Sequence, residues 1–132
     1  MYCAPVDRCE LESLINKLKN GKSPGADNIG VKMVKENAFI LVDPLIHLFN
    51  LSITTGIVPD KLKIAKVVPV YKNKGETTFP GNYRPISLLS IFDKLLEKVM
   101  YSRLYKHLHA NQILYQYQFG FRKKLLHNLG ID

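Results

Sequence analysis

Two short runs, the first β-branched and each broken by a proline, set the strongest limit on how this 132-residue chain can fold. The first, KIAKVVPVYK at 63–72, predicts a strand from Ala65 to Tyr71. The second, YRPISLL at 83–89, predicts another. Proline has no amide hydrogen to give a ladder, so Pro69 and Pro85 place their strands at an edge or a bulge. With the turn-rich NKGETTFPGN at 73–82 between them, the two runs read as a basic hairpin.

Most of the remaining patterned sequence has helical period. Asp7 and Glu10 form a start signal, and Leu11, Leu14, Ile15 and Leu18 follow at helical spacing, with Gly21 as the expected stop. GKSPGADN at 21–28 is turn chemistry, and its spacing is not that of a phosphate-binding P-loop. A short helix is predicted over 31–37. Asp43 and Pro44 look like the cap and first residue of the next helix, which presents Leu45, Leu48, Phe49, Ser52 and Ile53 and ends at Gly56. Ser90 with Asp93 starts another, carrying Leu95, Leu96, Val99, Met100 and Leu104 to about His109. The predicted class is therefore α+β: mainly helical, with one two-stranded basic hairpin, in a single domain.

Charge narrows the partners. Residues 1–60 carry six basic and seven acidic side chains, net −1, whereas residues 61–132 carry thirteen and four, net +9. That asymmetry predicts a polyanion, most simply nucleic acid, for the second half. Two cysteines, Cys3 and Cys9, are too few for a disulfide scaffold and suggest a reducing compartment. With His107 and His109 they lack the spacing of a zinc site. The longest apolar run, AFILV at 38–42, is interrupted by Asp43, and no signal-peptide layout opens the chain. An intracellular protein, cytoplasmic or nuclear, without a membrane partner is expected.

Four stretches in order carry a family likeness: GKSPGADNI, IVPDKLKIAKVVPVYKNKG, NYRPISLLSIFDKLLEKVMYSRL and QFGFRKK. Together they resemble the N-terminal part of reverse transcriptases from non-LTR, LINE-like retrotransposons, the jockey type in particular. The likeness runs from about Leu11 to Arg122. It implies that residues 1–132 are a partial reverse-transcriptase domain, the fingers and the start of the palm in a right-hand polymerase fold. It also implies an RNA-directed DNA polymerase that works with RNA and DNA and uses Mg²⁺ when intact.

By that resemblance, Lys72 and Arg84 contact the phosphates of the incoming deoxynucleoside triphosphate from the hairpin, facing each other across its loop. A guanidinium holds phosphate oxygens in a fork, and Pro85 restricts Arg84 to extended backbone at the mouth of a buried strand. The competing reading of Arg84 is a salt bridge to Glu97 or Asp93. Lys61, Lys63, Lys66, Lys74, Arg122, Lys123 and Lys124 are candidate template contacts, with Phe119 and Phe121 as core anchors. The family's catalytic aspartates lie beyond the QFGFR motif, and no Tyr-x-Asp-Asp occurs in these 132 residues. The family's metal ligands have no match here, so no catalytic or metal-ligating residue is assigned. Two-metal phosphoryl transfer needs carboxylates holding ions about 3.5–4 Å apart. The expectation is a polymerase fragment, inactive alone, that takes a triphosphate only when a palm is present and binds nucleic acid weakly without sequence preference. The alternative is a non-enzymatic basic RNA-binding or interaction module derived from such an enzyme.

Overall fold

Four helices and one β-hairpin make up the computed structural model, which describes residues 3–115. The order is α1 (Arg8–Asn16), α2 (Val31–Glu36), α3 (Ala38–Thr55), β1 (Ala65–Tyr71), β2 (Tyr83–Leu89) and α4 (Ile91–Ala110). Short 3-10 turns at Asp60–Lys63 and Pro80–Asn82 lead into β1 and β2. The α+β class and both strand ranges agree with the sequence reading.

The core is helical. Leu11 and Ile15 of α1, Val31 and Val34 of α2, Val42, Leu45 and Phe49 of α3, and Ile91, Leu95, Leu96 and Val99 of α4 form one buried cluster with Val6, Leu18 and Leu62. The N-terminal segment is pinned to α3 by Asn50, whose side chain accepts from the Val6 amide at 2.7 Å and donates to the Val6 carbonyl at 3.1 Å. No residue of β1 or β2 belongs to this cluster.

Helix ends depart from expectation in instructive ways. Asp7 caps α1 as predicted, accepting from the Glu10 amide at 2.8 Å. The helix stops at Asn16 rather than near Gly21, because Lys35 of α2 donates to the Asn16 carbonyl at 2.9 Å and Leu18 turns into the core. α3 begins six residues before Pro44, which sits inside it. Asn37 ends α2 by donating its amide to the Met33 carbonyl, and its own carbonyl then receives the Ile40 and Leu41 amides that start α3. Asp43 caps nothing: its carboxylate is paired with Arg8. Read as one helix, α3 has the length and mean hydropathy of a membrane span, although Val42, Leu45 and Phe49 line the core. In α4 the apolar face is buried only as far as Val99, since Met100 and Leu104 are exposed.

The prolines of the hairpin follow a simple rule. Cross-strand partners run unbroken from Ala65–Leu89 to Tyr71–Tyr83, with Pro69 opposite Pro85, so there is no bulge. Just past the strands, the Lys72 amide donates to the Asn82 carbonyl at 2.8 Å. Hydrogen-bonded and non-hydrogen-bonded pairs alternate along an antiparallel ladder. Counting back from Lys72–Asn82 puts Pro69–Pro85 in the non-hydrogen-bonded class, where no ladder amide is needed. Both outer edges are thereby interrupted at one level, which discourages pairing with another strand.

The GKSPGADN turn locks the hairpin to the helices. Gly25 packs against the β2–α4 junction so closely that a Cβ there would lie 2.7 Å from the Ser90 nitrogen and 2.8 Å from the Leu89 carbonyl carbon. Both obstacles are backbone, at the point where Ser90 caps α4 by accepting from the Phe92 amide at 3.1 Å. Gly25→Ala is therefore expected to destabilise by about 1–3 kcal/mol through overpacking. Thermal melting checks it, and an unchanged midpoint would remove this contact from the account.

Candidate nucleic-acid interface

Side chains alternate between the faces of a strand, and cross-strand partners share a face. One face of the hairpin thus carries Lys66, Val68, Val70 and Lys72 on β1 and its extension, opposite Leu88, Ile86, Arg84 and Asn82. Arg84 is directly across from Val70 and diagonal to Lys72, so the two cations are neighbours on one face rather than facing partners. Lys66 lies four residues from Val70, roughly 14 Å along the strand. Between the cations, Val70 and Ile86 are each 42% exposed. β2 is therefore not a buried strand: Arg84 stands on an open surface, and its charge needs no burial partner.

The loop that closes the hairpin is held by side chains at its base. Tyr71 donates its hydroxyl to the Gly75 carbonyl, Tyr83 to the Thr77 carbonyl at 2.8 Å, and Asn82 its amide to the Glu76 carbonyl at 2.7 Å. The Tyr71 and Tyr83 rings meet at 5.5 Å. Lys72 joins the same set, donating Nζ to the Gly81 carbonyl at 2.8 Å. These ties satisfy loop carbonyls that have no ladder partner. The alternation of tyrosines with the lysine and asparagine next to them, Y-K and N-Y, was the available sequence signal, and it points to a loop staple only once the register is known.

The candidate cations separate accordingly. Lys63 is held by Asp60 at 2.9 Å on an exposed turn, and that hydrogen bond, with the lysine's charge, draws the Asp60 carboxyl below its ordinary value. Lys72 is tied to the loop. The side chains of Lys61, Lys66, Lys74 and Arg84 make no hydrogen bond or ion pair among the described residues. Lys61 borders an open groove of about 440 Å³ shared with Asp27, Ile29, Ile64 and Phe92. The competing salt bridge from Arg84 to Asp93 or Glu97 is not formed. Asp93 instead packs beside Ser52, Ile53 and Val58, where burial pushes its carboxyl up against the opposing pull of Lys94. Arg122, Lys123 and Lys124, with Phe119 and Phe121, lie outside the described residues. Among the described residues no group of three or more His, Cys, Asp or Glu side chains is placed to hold a metal ion.

One polar cluster escaped the sequence reading. Arg103 of α4 grips Glu10 of α1 with both arms, Nη1 to Oε1 at 2.8 Å and Nη2 to Oε2 at 2.9 Å. The same guanidinium donates to the carbonyls of Ala4, Pro5 and Val99. Hydrogen bonding to Glu10 holds Arg103 above its ordinary value despite burial.

No family model matches the chain. It is 30% identical over 122 residues, 90% of its length, to the probable RNA-directed DNA polymerase from transposon BS of Drosophila melanogaster. It is 29% identical over 121 residues to the RNA-directed DNA polymerase from mobile element jockey of Drosophila funebris. Over 113 residues it is 33% identical to the retrovirus-related Pol polyprotein from type-1 retrotransposable element R1 of Bradysia coprophila. The chain spans only 14%, 13% and 11% of these three relatives. The likeness drawn from the four motifs is therefore borne out: curated relatives of the chain are RNA-directed DNA polymerases of jockey-type and other non-LTR retrotransposons.

Proposed function

We propose that residues 1–132 form the fingers and the beginning of the palm of a non-LTR retrotransposon reverse transcriptase, and that the hairpin is their nucleic-acid and nucleotide face. The observation that carries this reading is Arg84. It is an unpaired guanidinium on stiff extended backbone before Pro85, on an exposed face with Lys66 and Lys72. The similarity to RNA-directed DNA polymerases supplies the context. A guanidinium so placed holds phosphate oxygens in a fork, and the neighbouring ammonium groups add unforked charge. Lys72, whose Nζ already serves the loop, acts here chiefly by fixing the hairpin that presents Arg84.

The reading also accounts for the exposed apolar surface. Phe39 is 74% and Ile57 70% exposed, and Met33 and Ile40 are exposed as well. Faces of this kind belong against further structure, which in this reading is the remainder of a polymerase.

Alone, the 132-residue chain is expected to bind single-stranded RNA and DNA weakly and without sequence preference. Affinity should fall steeply with salt as counterions are released. It should incorporate no nucleotide on a primed RNA template with magnesium. Anisotropy titrations at several salt concentrations and a labelled-nucleotide assay check both halves. Folded protein that ignores nucleic acid at low salt removes the interface, and incorporation above a no-enzyme control removes the claim of incompleteness.

A further inference from the structure

The solvent face of α4 carries a feature that the hairpin reading does not use. Tyr101, Tyr105 and His109 succeed one another at four-residue spacing, so their side chains share one stripe of the helix. Their rings are nearly parallel: Tyr101 and Tyr105 lie 5.7 Å apart at 24°, Tyr105 and His109 6.0 Å apart at 29°. Such separations belong to offset stacks, in which each ring leaves part of its face uncovered. Tyr101 is 48% exposed. The same stripe continues toward the helix start with Lys98 and Lys94, neither of which makes a hydrogen bond or ion pair among the described residues. The buried residues Leu95, Leu96 and Val99 point the other way.

We infer that this stripe is a second single-strand platform, separate from the hairpin, on which bases stack against Tyr101 and Tyr105 while Lys94 and Lys98 take the neighbouring phosphates. The chemistry favours this occupant over a protein partner. Rings preceded on the same stripe by two lysines suit a polymer that carries flat bases beside anionic phosphates, and stacking of this kind tolerates any sequence. Among the described residues the stripe is flanked by Glu97 and, beside Lys94, by Asp93, and the surrounding half of the chain is strongly basic. The inference rests on the nucleic-acid part of the proposed function but not on the hairpin.

The test uses the full 132-residue chain with a fluorescent oligothymidine 12-mer and an abasic 12-mer of equal charge. The double variant Tyr101→Ala/Tyr105→Ala should lose at least about fivefold in affinity for the oligothymidine, from one stacked base at the low end of such contacts. It should bind the abasic strand as the parent does, with the salt slope unchanged. Tyr105→Phe should keep full affinity, because the ring remains. Lys66→Ala/Arg84→Ala, on the hairpin, should weaken both oligonucleotides alike. With the unmodified chain, a 5-iodouracil 12-mer should crosslink within residues 94–109, a readout that needs no variant to fold. Parent-like oligothymidine binding by the folded double tyrosine variant, while the hairpin variant loses it, overturns the platform and leaves the hairpin reading intact. Crosslinks confined to other peptides overturn it too. A parent that binds neither strand at low salt overturns both readings. Self-association of the parent, abolished by the tyrosine changes, would assign the stripe to contacts between copies instead.

Discussion

Arg103→Ala is expected to lower the melting temperature on the order of 10 °C, from a loss of about 2–3 kcal/mol. The reason is geometric. Arg103 is 11% exposed at its side chain and Glu10 28%, so the pair is largely withdrawn from water, and the guanidinium also serves three carbonyls. Truncation leaves the Glu10 carboxylate and the carbonyls of Ala4 and Pro5 without their donor, which costs more than the pair itself is worth. Arg103→Lys should recover only part of the loss, because a single ammonium cannot reach both carboxylate oxygens and the N-terminal carbonyls in one plane. Glu10→Gln should cost less than Arg103→Ala, since an amide oxygen still accepts. Melting of the four proteins, with the double variant closing the cycle, isolates the coupling. A cycle showing no coupling, or an Arg103→Ala midpoint within a degree or two of the parent, would reduce the pair to a surface contact.

The second large effect belongs to function and is opposite in character. In an intact relative carrying this hairpin, Arg84→Ala should reduce kcat/KM for the deoxynucleoside triphosphate by about 10–100-fold, the equivalent of one charge-assisted phosphate contact. Arg84→Lys should restore part of it. In the 132-residue chain the same Arg84→Ala change should leave stability within about 0.5 kcal/mol. That expectation follows from the side chain's exposure and from its having no ion pair among the described residues. The two measurements together separate a phosphate contact from a strut. A fall in melting temperature with unchanged nucleotide kinetics would make Arg84 structural, and unchanged behaviour in both would make it incidental.

What could be read directly from the residues was what neighbours in the chain decide. Two short apolar runs, each holding a proline, marked both strands, because backbone preference and a missing amide act locally. Asp7, Ser90 and Gly56 announced helix ends for the same reason: a cap is a contact between residues two to four apart. Arg84 stood out as the one charge in GNYRPISLLS, and its candidacy came from that motif. Tertiary contacts decided the rest. The end of α1 depends on Lys35, nineteen residues from the carbonyl it takes. Asp43 left its expected cap for Arg8, thirty-five residues away, and α3 ran back through Pro44 to Asn37. Arg103 and Glu10 are ninety-three residues apart; in the sequence Arg103 carries no signal, and Glu10 reads only as part of a helix start. Lys72 seemed equivalent to Arg84 until loop closure brought the Gly81 carbonyl within its reach. Strand and cap preferences are settled by the few atoms flanking each residue, whereas a charge goes to the best partner that folding brings near, and that partner has no address in the local sequence.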